Sequence, residues 1–219
     1  MHYPQHISIL SSVKIRGFCV ISVLSLCRNS GISMIMQLTF TFLLCYFAIV
    51  FISCQPSGGV MFTLTCQSYG NNAAIPLKYV HKGIVGGKNV SPGFSWTDPP
   101  PSTKSFAFSI IDPHPVAKNW VHWLMINIPF RERKIVEGAS RTNSLPAGAK
   151  ELMSTYDELG YGGPEPPKGS GVHPYVATVY ALNVDSLPLG VNTTLSQFLR
   201  AIEGKVIAEA TMTGNFEQK

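Results

Sequence analysis

The sequence predicts a mainly β fold for residues 60–219, and three features of the chain support this prediction. Several short segments alternate between apolar and polar side chains, which is the two-residue period of a strand. Gly, Pro and Asn separate these segments, and those residue types favour tight turns. Only one segment has the spacing of an amphipathic helix. With 219 residues, the chain is long enough for one sizeable domain and additional segments.

Strands account for most of the predicted elements. In chain order they are Val60–Cys66, a short extended piece at Ile75–Val80, Phe94–Thr97, Lys104–Ile111, Val121–Ile128, Tyr175–Leu182 and Val206–Thr213. Pro99–Pro101 ends the third of these, because proline cannot donate a ladder hydrogen bond. Val121–Ile128 is apolar almost throughout, which predicts a central strand buried on both faces. The polar and charged residues 130–148 that follow predict a surface loop.

A single helix is predicted before the last strand. Thr194 is its N-cap, and Gln197 three residues later completes the pattern of a capping box. Gly204 is suited to end it, because Gly readily adopts the left-handed conformation of a helix C-terminus. Four apolar residues share one face of this helix: Leu195, Phe198, Leu199 and Ile202.

Residues 1–59 are interpreted as a leader and a short linker. No charged side chain occurs from Asn29 to Leu77, and Leu38–Ser53 is almost continuously apolar. This apolar run is short for a bilayer span of ~20 residues and follows several basic residues, as in a secretory signal. The leader therefore predicts export.

The end of the apolar run, Phe51-Ile52-Ser53-Cys54, resembles the cleavage box of bacterial lipoproteins. In that box the Cys is acylated and becomes the first residue of the mature protein, so Cys54 is a candidate lipid-attachment site. A plain cleaved signal and an uncleaved anchor stay open as alternatives. We expect an exported protein of the bacterial envelope or periplasm, held at the membrane where the N-terminal segment is acylated or retained.

The charge of the chain argues against nucleic-acid binding. The formal net charge is +5, but Lys14, Arg16 and Arg28 of the leader supply three of the positive charges. No run of Lys and Arg with interleaved aromatic residues occurs, and no nucleic-acid-binding motif is found. We therefore expect no nucleic-acid partner.

Two segments combine polar side chains with Gly- and Pro-rich turns at strand ends. The first runs from Asp112 to His122, and the second ends at His173 and Tyr175. Turns carried by strands are held rigidly, so an acid, two imidazoles and a phenol in such turns predict a preorganised pocket. Taken alone, His122 on an apolar strand is more often a core histidine with satisfied hydrogen bonds.

In these motifs and several others, the chain resembles the phosphatidylethanolamine-binding protein family, whose bacterial branch is often labelled Raf kinase inhibitor-like. The likeness runs from about Phe62 to Phe216. The resemblance implies a central antiparallel sheet packed against a smaller sheet, with a few peripheral helices. It also implies a small pocket for a phosphate-like or carboxylate group, including phospholipid head groups. The matching motifs are Ile75-Pro-Leu-Lys-Tyr79, Val90-Ser-Pro92 with Trp96, Thr103-Lys-Ser-Phe106, Asp112-Pro113, Trp120-Val-His122-Trp123, Asn127-Ile-Pro129, and Gly160-Tyr-Gly-Gly-Pro164 with His173 and Tyr175.

The same resemblance implies a set of ligand-binding residues, namely Asp112, His122, Pro167, His173 and Tyr175. Three further residues are expected at the pocket rim: His114, Trp120 and Glu165. Imidazole N–H and phenol O–H groups can donate to a bound anion, whereas Asp112 is suited to accept from an imidazole. Prolines stiffen the two turns, and one X–Pro bond there is a candidate for the cis form. No cofactor is expected.

Three positions depart from the family pattern. His114 stands where the family has an acid, Glu165 stands where a Cys is frequent, and Pro174 replaces a basic residue. These changes alter the charge near the pocket. We therefore expect weak binding of small anions, which strengthens as the pH falls through the imidazole range.

Enzyme-like alternatives find little support in the motifs. Ser170 lacks the Gly-x-Ser-x-Gly setting of a hydrolase nucleophile, and Gly160–Gly171 lacks the Gly-Lys-Ser/Thr ending of a nucleotide loop. A metal cluster would draw on four side chains whose spacing differs from His-Glu-x-x-His. Those four are Asp112, His114, His122 and His173. We therefore expect neither catalysis nor a bound metal.

The main competing interpretation is an interaction protein. Members of the family are linked with inhibition of kinases or proteases, and such a role would use the loops around the pocket. Arg131–Lys134 and Pro99–Pro101 are candidate contact edges in this chain. Nothing in the sequence names the partner, and an exported location favours an envelope protein over a cytosolic kinase.

Overall fold

The computed structural model describes residues 61–219, so the predicted leader and Cys54 lie outside the described residues. The described part is mainly β, and the predicted fold class is confirmed. It also contains one α-helix, α1 (Leu195–Ile202), and a short 3-10 helix (Leu77–Tyr79). The strands of this part are β1 (Thr63–Cys66), β2 (Ala73–Ala74), β3 (Phe94–Thr97), β4 (Ser105–Asp112), β5 (Trp120–Pro129), β6 (Lys134–Ile135), β7 (Lys150–Glu151), β8 (His173–Leu182) and β9 (Val206–Phe216).

The strands form two sheets. The larger sheet has six strands in the order β2-β9-β8-β4-β5-β7, and the smaller sheet has three in the order β1-β3-β6. Neighbouring strands are antiparallel, except that the two residues of β2 pair in parallel with β9. The long strands β4, β5 and β8 are adjacent, so the end of β4 lies beside the starts of the other two.

Both faces of the larger sheet are covered. On one face, Phe94 of β3 packs against Phe108 of β4, with ring centroids 4.9 Å apart. On the other face, Phe198 of α1 packs against Tyr180 of β8 at 5.8 Å. β4 and β5 are consequently buried on both sides, as predicted for Val121–Ile128. Each large apolar side chain buried in this way contributes ~1.5–3 kcal/mol, so the packing holds the strand ends firmly in place.

Local structure differs from the prediction in three places. Ile75–Val80 is not extended; Pro76 starts the 3-10 helix there, and its carbonyl accepts from the N–H of Tyr79 at 3.0 Å. β2, β6 and β7 were missed because two residues are too few to show an alternating pattern. The expected cis X–Pro bond is also wrong for residues 61–219, which contain no cis peptide bond.

The predicted capping box of α1 is confirmed. Thr194 Oγ1 accepts from the backbone N–H of Gln197 at 3.3 Å, and Gln197 Oε1 accepts from the backbone N–H of Thr194 at 2.8 Å. The helix ends at Ile202, and Gly204 follows with a left-handed φ of 69°. Across residues 61–219, no helix combines the length and the apolar character that a membrane span requires.

Candidate ligand-binding site

The antiparallel register of the larger sheet brings the two sequence motifs together. Asp112 at the end of β4 pairs with Trp120 at the start of β5. On its other side, β4 pairs Ile111 with Val176 near the start of β8. The turn that follows β4 and the turn that precedes β8 therefore lie at the same end of the sheet.

A bulge in β5 sets the direction of one site residue. Ile110 pairs with Trp123 and the next residue, Ile111, pairs with Val121, so His122 has no partner on β4. An extra residue of this kind breaks the ladder locally and re-aims a side chain. Here the re-aimed group is an imidazole that the sequence assigned to the site.

A hollow of about 310 Å³ opens at this end of the sheet. All five residues predicted to bind the ligand line it, together with two of the three predicted rim residues. Its volume lies near the lower end of the ~300–1,000 Å³ that small-molecule sites occupy. The lining consists of Asp112, Val116, Ala117, Trp120, His122, Tyr156, Glu165, Pro166, Pro167, His173 and Tyr175.

A chain of hydrogen bonds joins Asp112, His173 and Ser170. His173 Nδ1 donates to Asp112 Oδ2 at 2.6 Å, and both side chains are almost fully buried. Ser170 Oγ lies 2.6 Å from the carbonyl of Pro167 and 2.9 Å from His173 Nε2, so its hydroxyl is placed to donate to either atom. The contact of His173 with the carboxylate is the one that the sequence suggested for Asp112.

The order Asp112–His173–Ser170 is also that of a hydrolase triad, but the serine lies outside the lining of the hollow. In a triad the hydroxyl donates to the imidazole, which removes its proton during attack on a bound substrate. Here Ser170 Oγ contacts the carbonyl of Pro167 as well as His173, and Ser170 does not line the hollow. The chain of hydrogen bonds therefore holds the wall of the hollow in place and does not present a nucleophile to a ligand in it.

His122 is the second buried imidazole of the hollow, and it is uncharged near neutral pH. Its Nδ1 donates to the carbonyl of Gly162 at 2.7 Å, since a carbonyl oxygen can only accept. Burial lowers the pKa of His122 to about 4, and it outweighs the opposing effects of Gly162 and Asp112. With the proton held on Nδ1, Nε2 carries a lone pair. Within the described residues, Nε2 makes no hydrogen bond.

Two donors of the lining residues lack a partner in the described part of the chain. They are the hydroxyl of Tyr175 and the indole Nε1–H of Trp120, and both atoms are buried. Burial raises the pKa of Tyr175 well above its ordinary value, with a further contribution from Asp112, so the phenol keeps its proton. A buried donor without a partner costs ~1–3 kcal/mol. Oxygen atoms of a ligand would remove this cost.

The mouth of the hollow carries an acid. Glu165 Oε2 lies 2.5 Å from His81 Nδ1, and the ring of His81 stacks on Tyr156 with centroids 4.7 Å apart. No Lys or Arg is among the lining residues. Asp112 contacts His173 and Glu165 adds a second acid, so the lining has no excess of positive charge.

His114 does not line the hollow, although it was expected at the rim. Its ring stacks on the outer face of His173, with centroids 3.8 Å apart. Its backbone N–H donates to Asp112 Oδ1 at 2.8 Å. The stacking and this hydrogen bond hold Asp112 and His173 in place from outside the hollow.

The expectation that both imidazoles offer N–H groups to a ligand is wrong. The protons of His122 and His173 are already donated to protein acceptors. Sequence reasoning also missed Tyr156, which lies in a segment without a recognisable motif and reaches the hollow only through tertiary packing. The contact of Ser170 with His173 could have been found, because serine three residues away in a turn commonly makes such local hydrogen bonds.

Two other candidate sites were considered within residues 61–219. No three His, Cys, Asp or Glu side chains of this region converge as a metal-binding group. A larger groove of about 660 Å³ lies beside the start of α1, but none of the predicted site residues lines it. The hollow between the strand ends is therefore the candidate site.

Comparison with known proteins gives matches over most of the chain. Residues 65–217 match the family model described as Phosphatidylethanolamine-binding protein. A UPF0098 protein of Aquifex aeolicus is 32% identical over 162 residues, which cover 74% of this chain and 92% of that protein. A Mycobacterium tuberculosis protein named as a candidate lipoprotein, LppC, is 30% identical over 155 residues, which cover 71% of this chain and 72% of that protein.

Solved structures show the same similarity. The crystal structure of Escherichia coli YbcL, described as a new member of the mammalian PEBP family, matches with a TM-score of 0.69 and 31% identity, over 72% of this chain and 99% of that chain. A PEBP homologue from Chlamydia trachomatis, CT736, matches with a TM-score of 0.61 and 29% identity, over 72% and 98%. The chain belongs to the phosphatidylethanolamine-binding protein family.

Proposed function

We propose that this chain is a binding protein whose hollow takes a small oxyanion, either free phosphate or the phosphoryl part of a head group. One observation carries the proposal: the buried hydroxyl of Tyr175, at the wall of the hollow, has no partner in the described residues. The indole N–H of Trp120 is a second such donor. Membership of a family described as binding phosphatidylethanolamine supports the same chemistry.

The size of the hollow supports a head group rather than a whole lipid. A volume of about 310 Å³ accommodates a phosphoryl group and a short amine, but not acyl chains. Any lipid bound here would therefore keep its chains outside the hollow.

Calorimetric titration with phosphorylethanolamine tests the proposal directly. We expect weak, saturable binding of one ligand per chain. Tyr175→Phe should weaken it about tenfold, because one hydrogen bond to a charged group contributes ~1.5 kcal/mol or more. Tyr180→Phe is a matched control: its hydroxyl bonds to Ser109 outside the lining of the hollow, so binding should not change. Absence of binding, or equal affinities for wild type and Tyr175→Phe, would contradict the proposal.

The proposal includes a binding role without catalysis. It is supported by the position of Ser170, which contacts Pro167 and His173 but does not line the hollow. A fluorophosphonate probe, which reacts with activated serines, should leave Ser170 unlabelled. Labelling of Ser170 that disappears on heat denaturation would instead indicate a hydrolase.

We further propose that the protein is exported and anchored through an acylated Cys54. The long uncharged stretch before residue 78 supports export, and the name of the relative LppC supports the lipid anchor. Mass spectrometry of the mature N-terminus from the native host checks this. An N-terminal diacylglyceryl cysteine is expected, and an intact leader would contradict it.

A further inference from the structure

We propose that the hollow selects oxyanions that carry a proton, and that Nε2 of His122 accepts the hydrogen bond from that proton. This inference rests on the proposed function and specifies its ligand as a phosphomonoester or inorganic phosphate in monoprotonated form. Phosphatidylethanolamine is a phosphodiester and has no such proton, so its phosphoryl group fits the hollow less well.

The tautomer of His122 determines what its free ring nitrogen offers a ligand. The carbonyl of Gly162 accepts from Nδ1 at 2.7 Å, so the single proton of the neutral ring stays on that atom. Nε2, the ring atom left for the hollow, then offers a lone pair. A fully deprotonated anion has only lone pairs and would meet it without a hydrogen bond. A ligand O–H would supply the missing donor.

The charges around His122 favour the same ligand. Asp112 on β4 favours the charged ring, whereas His81 on the facing segment opposes it, and burial outweighs both. The rings of Tyr156 and Tyr175 also pack against the imidazole, at 5.7 and 4.9 Å between centroids. His122 therefore stays neutral and does not itself supply the proton around neutral pH.

The lining residues supply no net positive charge to offset a doubly charged anion. The lining contains the carboxylates of Asp112 and Glu165, its one other buried imidazole, that of His173, is already bonded to Asp112, and no Lys or Arg is present. Burying an unpaired charge in such a site is costly. A monoanion loses less hydration and brings one donor with it.

A monoprotonated phosphoryl group supplies a partner for three polar atoms of the lining residues. Its O–H donates to Nε2 of His122, while its other oxygens accept from the hydroxyl of Tyr175 and the indole N–H of Trp120. The second pKa of a phosphomonoester is ~6, so above that pH the ligand takes up a proton when it binds. The apparent affinity should then fall about tenfold for each pH unit above ~7.

Three probes that share a 2-aminoethyl ester group separate the possibilities. Phosphorylethanolamine is a monoester, 2-aminoethyl hydrogen sulfate is a monoanion of the same shape without the acidic proton, and glycerophosphorylethanolamine is a diester. Calorimetry at pH 6 should show the monoester binding at least tenfold more tightly than the other two. At pH 8, titrations in two buffers of different ionisation enthalpy should show uptake of about one proton per bound monoester.

Two substitutions test whether His122 accepts the hydrogen bond from the ligand proton. His122→Phe keeps an aromatic ring and removes the acceptor, so the monoester should lose its advantage over the sulfate. His114→Phe is the matched control, because His114 stacks on His173 outside the lining, and it should keep the preference. Thermal unfolding establishes that each variant is folded. If His122→Phe does not fold, the three-probe comparison on the wild-type protein still decides.

The outcomes distinguish this inference from the proposed function. If none of the three probes binds, both fail. If the sulfate or the diester binds as tightly as the monoester, without proton uptake, the oxyanion site stands and the selection for a proton is wrong. If a folded His122→Phe variant keeps the full preference for the monoester over the sulfate, His122 does not accept from the ligand proton, and the inference is overturned.

Discussion

Replacement of Asp112 should destabilise the protein strongly, because this buried carboxylate accepts hydrogen bonds from two groups of the protein. Asp112 accepts from His173 Nδ1 at 2.6 Å and from the backbone N–H of His114 at 2.8 Å. Asp112→Ala removes both hydrogen bonds and leaves the Nδ1–H of His173 buried without its acceptor. Breaking a buried pair from one side costs ~3–5 kcal/mol.

Asp112→Asn should cost much less and thereby separate charge from geometry. The amide oxygen can accept from the N–H of His114, and the amide NH₂ can donate to Nδ1 of a neutral His173. Both contacts survive and only the charge attraction is lost, so we expect a cost of ~1–2 kcal/mol. Asp185→Ala, on the exposed surface, is the control and should change stability by less than ~0.5 kcal/mol.

Urea unfolding at pH 7 measures these differences. With a slope of ~2 kcal/mol per molar urea, the midpoint of Asp112→Ala should fall by ~2 M and that of Asp112→Asn by less than ~1 M. The reasoning is refuted if the Ala variant lies within ~1 kcal/mol of the wild type. Equal losses for Ala and Asn would also refute it, since the two hydrogen bonds would then contribute nothing.

Three further predictions concern stability. Tyr175→Phe should leave the free energy of unfolding unchanged or raise it by up to ~1 kcal/mol, because the lost hydroxyl has no partner in the described part of the chain. Tyr180→Phe should lower it by ~0.5–1.5 kcal/mol, because its hydroxyl bonds to Ser109. Equal losses for the two variants in urea unfolding would contradict this. His122 has a folded pKa of about 4, below its ordinary 6.5, so its contribution is complete above pH 6.5 and is lost as the pH falls toward 4. That contribution is ~3 kcal/mol. The free energies of unfolding of wild type and His122→Phe, measured between pH 7 and 4, should therefore differ by ~3 kcal/mol less at pH 4 than at pH 7. A difference that does not change with pH would contradict this. Thr194→Ala should remove the capping box and cost ~1 kcal/mol in thermal unfolding, and an unchanged melting temperature would contradict the role of the cap.

Much of the fold could be predicted because its long strands are buried in regular ways. Val121–Ile128 and Tyr175–Leu182 carry enough apolar and β-branched residues to be recognised without a neighbour, and Thr194 with Gln197 marks the helix start by local hydrogen bonding alone. β2, β6 and β7 have two residues each and depend on partners distant in the chain. No local pattern could have shown them.

The site divides in a similar way. The turn-and-strand motifs predicted that Asp112, His122, His173 and Tyr175 share one hollow, and the register of β4 with its two neighbours explains why they do. The protonation pattern could not be predicted, because it depends on carbonyl groups. The acceptor of the His122 proton is the backbone oxygen of Gly162, 40 residues away in the chain. Every residue has a backbone carbonyl, so the sequence does not show which one accepts.

The central claim is that a small oxyanion binds in the hollow at the ends of β4, β5 and β8. The most direct test is a titration of the ¹⁵N-labelled protein with phosphorylethanolamine, followed through the indole N–H signals of its three tryptophans. Trp120 lines the hollow with an unpaired N–H, whereas Trp123 donates to Glu151 at 2.7 Å outside the lining. The account predicts a saturable shift of the Trp120 signal with the Trp123 signal unchanged. A Trp120 signal that stays fixed at saturating ligand would contradict it.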